Sequence, residues 1–206
     1  LYPEMFPGPL NSSLYGKALR DKVWNLETVN IKDYAKDKHK TADDTPYGGG
    51  SGMVMRPDVI GNSLDKNLES DERVYYLSPR GKLLNQEIAR KISKEKSLNI
   101  LCGHFEGVDQ RVLDKRNIEE ISIGDYIISG GETASYIILD SVLRLIPGVL
   151  GNEDSIVNES FENGLLEYPQ YTKPQIWQEN KVPDVLLSGD HAKIKDWRLS
   201  QSEAIT

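Results

Sequence analysis

Gly130-Gly131-Glu132 is where residue type and spacing first suggest chemistry in this 206-residue chain. Paired glycines let a ligand come close to the main chain and take backbone angles closed to other residues. A phosphate-binding loop leaves a helix N-terminus free for an anion, whereas Glu132 places negative charge there and favours a neutral or cationic ligand. The apolar triplet Tyr126-Ile127-Ile128 just before it reads as a short buried strand. Ala134, Ile137, Ile138 and Leu145 then share one face of a helix that Pro147-Gly148 ends.

Other chemistries lack their residues. No phosphate-loop sequence G-x-x-x-x-G-K-[ST] occurs, no G-x-G-x-x-G opens a helix after a strand, and no G-x-S-x-G elbow is present. His39, His104 and His191 are scattered and Cys102 is the single cysteine, so no metal-site spacing exists. The lone Cys102 excludes an internal disulfide and points to a reducing, cytoplasmic setting.

The elements that must position such a loop alternate strand and helix three times between Arg73 and Leu145, which predicts an α/β fold with a parallel sheet. Val74 to Leu77 is followed by Ser78-Pro79-Arg80-Gly81 and a helix carrying Leu84, Ile88 and Ile92. Leu98 to Cys102 is followed by Gly103-His104-Phe105-Glu106-Gly107 and a short helix with Val112 and Leu113. The third unit holds Tyr126 to Glu132. Ligands of open parallel sheets lie outside the carboxyl ends of the strands, so three neighbouring loops would form one site. Residues 1–60 add a strand ending at Leu1-Tyr2, a helical stretch, a strand near Val23 to Ile31, and the glycine-rich loop Asp43 to Gly52.

Net charge is −7 with a pI near 5.1, which argues against holding nucleic acid by bulk positive charge. Residues 1–60 balance eight acids with eight bases, while 151–206 carry ten acids and five bases, so the front of the chain is the better polyanion surface. No apolar run approaches the ~20 residues of a membrane span. Gly151 to Tyr168 holds five acids and no base and reads as a linker. The segment from Pro169 to Thr206 reads as the start of a small helical domain. The chain begins at Leu1 without a methionine, which predicts further residues before it.

Leu1 to Phe6, Asp37-Lys38-His39-Lys40-Thr41 with Asp43-Asp44, Pro46-Tyr47-Gly48-Gly49-Gly50, Tyr76-Leu77-Ser78-Pro79, Cys102-Gly103, Glu106-Gly107, Ser122 to Glu132 and Ile146 to Gly151 carry a resemblance that spans the chain. In this order they closely resemble the bacterial tRNA (guanine-N1)-methyltransferases of the SPOUT superfamily. The resemblance implies a trefoil knot in residues 1–150, a linker over 151–168 and a C-terminal tRNA-binding domain from 169. It implies S-adenosylmethionine as methyl donor, held by Tyr76, Leu77, Ser78, Pro79, Gly103, Glu106, Ile123, Gly124, Asp125, Tyr126, Ile127, Ile128, Gly130 and Gly131. A sulfonium is a cation, and Glu106, Asp125 and Glu132 would rim its site.

The resemblance further implies methyl transfer to N1 of the guanine immediately 3′ of the anticodon, with Glu159 as base and Arg144 as its cationic partner. The family usually places aspartate where Glu159 stands, and Asp154 is the alternative base. His39, Asp43 and Gly52 match positions near the target base or the tRNA backbone. His104-Phe105 stands where family members commonly carry Arg-Tyr. A homodimer with shared sites and dependence on Mg2+ recruited by Glu106 and the linker acids are also implied. The competing readings are an RNA-binding member that has lost catalysis and a methyltransferase for another RNA.

Overall fold

A computed structural model of the chain describes residues 1–116, 118–151, 160–161 and 164–206, which fall into two compact units, Leu1–Gly151 and Asn152–Thr206. In chain order the first unit holds α1 (Ser13–Arg20), the hairpin strands β1 (Asp43–Asp44) and β2 (Val54–Met55), and α2 (Pro57–Asn67). It continues with β3 (Val74–Leu83), α3 (Gln86–Ile92), β4 (Asn99–Leu101), α4 (Gln110–Arg116), β5 (Glu119–Ser122) and α5 (Gly131–Leu143).

β3 lies between β4 and β5, and both pairings are parallel, as the alternation predicts. Successive residues of a strand face opposite sides, and β3 uses this to serve two cores. Val74 and Tyr76 pack with α2 and α4 residues such as Val59, Ile60, Val112 and Leu113. Tyr75 and Leu77 pack with Ala89 and Ile92 of α3 and Ala134, Ile138 and Val142 of α5. The result is a helix, sheet and helix sandwich. α3 starts where Asn85 accepts a hydrogen bond from the Ile88 nitrogen at 2.9 Å, a side-chain N-cap.

Several expectations change. The third strand is Glu119–Ser122, not Tyr126-Ile127-Ile128, whose residues lie in a loop with Ile127 82% exposed. β5 pairs with β3, and its acids reach outward to arginines: Glu119 to Arg73 at 3.2 Å and Glu120 to Arg80 at 3.3 Å. Ile137 is 42% exposed, leaving Ala134, Ile138 and Val142 as the buried stripe of α5. No strand forms near Val23 to Ile31. Trp24 is buried there beside Leu143 and Val149, and Asn30 caps a single 3-10 turn at Ile31–Tyr34. Leu1-Tyr2 is likewise outside any strand.

One irregularity shapes the site. Leu77 and Lys82 both stand opposite Ile121, so 78–81 leaves the β3 ladder and returns to the same rung. At the return, a Cβ on Gly81 would lie 2.4 Å from the Glu120 and Ile121 backbone, which glycine alone avoids.

The second unit contains the hairpin β6 (Ile176–Trp177) and β7 (Asn180–Lys181), followed by α6 (Asp184–Leu187) and α7 (His191–Ile205). Asp190 caps α7 by accepting from the Lys193 nitrogen at 3.2 Å, and the Arg198 guanidinium lies 4.7 Å from the centre of the Tyr168 ring. The segment is therefore part hairpin and part helix. No helix among the described residues is long and apolar enough to cross a membrane.

Candidate functional site

The three post-strand loops meet. A cavity of about 1180 Å³ is lined by Tyr76 to Arg80, by Gly103 to Arg111 and by Ile121 to Gly131 except Asp125, together with 44–47 and 54–58. It opens at the carboxyl ends of the parallel strands, where α/β sheets bind ligands. Its volume exceeds the roughly 300–1,000 Å³ usual for a small-molecule pocket, which leaves room for a second group beside a nucleoside-sized ligand.

The second and third loops are joined by backbone. Gly131 donates to the Gly103 carbonyl at 2.8 Å, and His104 forms an antiparallel bridge with Gly130. Such closeness needs glycine: a Cβ on Gly131 would sit 2.6 Å from the Cys102 Cα, and one on Gly130 would sit 2.3 Å from the His104 ring. Tyr76 lies beneath the second loop, where burial raises its hydroxyl pKa. A Cβ on Gly103 would fall 2.6 Å from that ring.

The β1–β2 hairpin brings the glycine-rich loop to the same cavity. The Glu106 nitrogen donates to the Met53 carbonyl and the Met55 nitrogen to the Gly107 carbonyl, each at 2.9 Å. Gly52, at φ +97°, abuts Glu106, whose carboxylate a Cβ there would meet at 2.5 Å. Tyr47 projects at the cavity rim, 97% exposed.

Charge at the rim is ordered by ion pairs. Arg111 grips Asp109 with two contacts of 2.9 and 2.7 Å and holds that carboxyl below its usual range. Arg56 does the same for Asp58 at 3.1 and 2.8 Å. Arg80 reaches Gln110 and Glu120, both at 3.3 Å. These arginines line the cavity and were not among the expected site residues. Arg80 sits inside the first loop and Arg111 four residues after Gly107, so closeness to the glycine loops was the available signal.

Of the expected cofactor residues, Tyr76, Leu77, Ser78, Pro79, Gly103, Glu106, Ile123, Gly124, Tyr126, Ile127, Ile128, Gly130 and Gly131 all line the cavity. Asp125 does not. Glu132 is corrected more sharply: it is 2% exposed and turned inward. There it accepts from the Leu1 nitrogen at 2.9 Å and lies 2.5 Å from His104 Nε2. Glu106 is therefore the one expected rim acid that faces the cavity.

His39 is exposed and, with Asp43 of β1 and Gly52, stands outside the cavity lining. Arg144 caps the C-terminal end of α5, near the Tyr15 hydroxyl, while the cavity touches the helix at its first residues. Thirteen residues separate the two ends by about 20 Å. Glu159 and Asp154 lie outside the described residues.

Fold and cavity define an α/β domain in which three glycine-bearing loops close on one cavity at the carboxyl ends of a parallel sheet, where such folds bind ligands. The family model described as tRNA (Guanine-1)-methyltransferase TrmD matches residues 1–206. A tRNA (guanine-N(1)-)-methyltransferase of Pelagibacter ubique is 68% identical over 206 residues, covering 100% of this chain and 90% of that protein. Like-named proteins of Wolbachia pipientis subsp. Culex pipiens and Rhodospirillum rubrum are 58% and 54% identical, covering 98% and 100% of this chain and 89% and 86% of theirs. The chain belongs to the tRNA (guanine-1)-methyltransferase TrmD family and, as a member, is a methyltransferase acting on guanine N1 of tRNA. Membership implies S-adenosylmethionine as the methyl source.

Proposed function

We propose that the chain methylates N1 of the guanine immediately 3′ of the anticodon, with S-adenosylmethionine held by the three converging loops. The observation that carries this reading is their convergence on one cavity of about 1180 Å³. The residues suit the donor: Leu77, Ile123 and Ile128 offer apolar surface for an adenine, the glycine-bearing loops offer backbone groups, and Glu106 offers negative charge to a sulfonium. When bound, that donor supplies an electrophilic methyl group on positive sulfur.

Guanine N1 carries a proton, so transfer needs a base and a group to stabilise charge on the neighbouring carbonyl oxygen. In this reading Glu159 would take the N1 proton as N1 accepts the methyl group that the donor supplies. Arg144 faces the carbonyl oxygen, while Asp154 is the alternative base. Arg144 lies about 20 Å along α5 from the cavity of its own chain, which supports a homodimer in which each site combines two subunits. The return of the chain from β5 to the loop after β4, across the end of β3, supports a knotted arrangement within 1–150.

Residues 151–168 serve as the linker, and 169–206 belong to the tRNA-binding part. His39, Asp43, Gly52 and the lysines of the front of the chain contact the RNA, and a tRNA substrate supports a cytoplasmic setting. Glu106 and the linker acids would help recruit Mg2+, supplying carboxylate oxygens to the ion.

The test uses labelled S-adenosylmethionine with ribosomal RNA and with two tRNAs, one with guanine and one with adenine 3′ of the anticodon. Label on the guanine tRNA alone is expected. Label on the adenine tRNA or on ribosomal RNA would favour a different RNA target, and no label in any would favour an RNA-binding role without chemistry.

A further inference from the structure

We propose that His104 is a positioning residue for the second cofactor loop, clamped by the buried carboxylate of Glu132 through its Nε2. The inference rests on the cofactor reading above and deepens it. Glu132 is 2% exposed and belongs to the first turn of α5, while His104 belongs to the loop after β4, 28 residues earlier. Their side chains meet at 2.5 Å, beside the main-chain bridge of His104 with Gly130 and the bond from Gly131 to Gly103. The carboxylate can only accept, so Nε2 carries the donated hydrogen. The ring is further fixed by Tyr2, edge-on at 5.2 Å between centroids, and by Phe105 at 6.0 Å.

What this clamp holds is a tight turn. Gly107 donates to the His104 carbonyl at 3.0 Å, and between them Phe105 adopts φ +59°, a left-handed conformation unfavourable for an aromatic residue. The turn aims Glu106 at the cavity and at the Gly52 loop. With His104 fixed at one end, the strained turn has a rigid base. Without the clamp Phe105 can relax, and Glu106, the expected rim acid that faces the cavity, moves. The buried Glu132 thus acts on the ligand through His104 rather than by touching it.

The test is equilibrium binding of S-adenosylhomocysteine and of S-adenosylmethionine to His104→Gln, His104→Asn and the parent chain, with steady-state kinetics for both substrates. A glutamine amide can occupy the Nε2 position and keep the donor, whereas an asparagine amide falls short of it. Expected is near-parental affinity for His104→Gln and a loss of about tenfold or more for His104→Asn. The KM for the methyl donor should rise in His104→Asn while the KM for tRNA stays unchanged. Equal affinity in the parent and His104→Asn would overturn the clamp, as would equal weakening in both variants. Failure of the parent chain to bind either ligand would sink the cofactor reading instead.

Discussion

An alanine Cβ at Gly131 would lie 2.6 Å from the Cα of Cys102, main chain against main chain with no side chain able to yield. At Gly103 the obstacle is the ring of the buried Tyr76, also at 2.6 Å. Both substitutions overpack a tight junction, a change that costs about 1–3 kcal/mol. Gly131→Ala should be the more damaging, since a ring can tilt and a backbone must move as a whole. Thermal denaturation and cofactor titration of both variants check the order, and adding Tyr76→Leu should recover part of the loss for Gly103→Ala alone.

Cys102 should resist alkylation in the native protein. Burial, with the Glu132 charge adding to it, pushes its thiol up to about 12 from an ordinary value of 9.0. The reactive species is the thiolate, and the pKa has risen, so at pH 8 the reactive fraction falls roughly a thousandfold. Iodoacetamide labelling followed by mass spectrometry should show slow modification that climbs as pH approaches the raised value and becomes fast in denaturant. Rapid native labelling at pH 8 would contradict the raised thiol pKa.

Glu159→Gln keeps size and removes the basic oxygen, so it should lower the single-turnover rate by about a hundredfold or more while leaving cofactor affinity nearly unchanged. Asp154→Asn should be mild. If the two effects are reversed, the base is Asp154.

Arg144 and the cavity occupy opposite ends of α5, which gives the proposed two-subunit site a direct check. Arg144→Ala and Gly131→Ala should each be poorly active alone. Unfolded together and refolded as a mixture, they should recover activity, because random pairing leaves about a quarter of all sites with neither change. A mixture no better than its parents would argue that each chain completes its own site.

The first two β/α units were legible because β3, β4, α3 and α4 follow ordinary signals: apolar runs, the spacing of Ile88 and Ile92, and that of Val112 and Leu113. The loop positions were legible for the same reason. Tyr126-Ile127-Ile128 misled because the wall of a ligand cavity and a buried strand call for the same residue types, and periodicity cannot separate them. Glu132 misled because a carboxylate at a helix start can face out to a ligand or in to a partner, and its partner His104 is set by tertiary structure. The strand expected near Val23 had suitable residues but no neighbour to pair with, so Trp24 packs against the end of α5 instead.

The detour at 78–81 is pinned at both feet to Ile121. The sheet therefore bears the cost of shaping this wall when the protein folds, and ligand capture has little ordering left to do there. Inserting or deleting one residue in that detour should redraw the cavity while the flanking pairs Tyr76 with Glu120 and Leu83 with Ser122 persist. The detour is a place where ligand preference can drift independently of foldability.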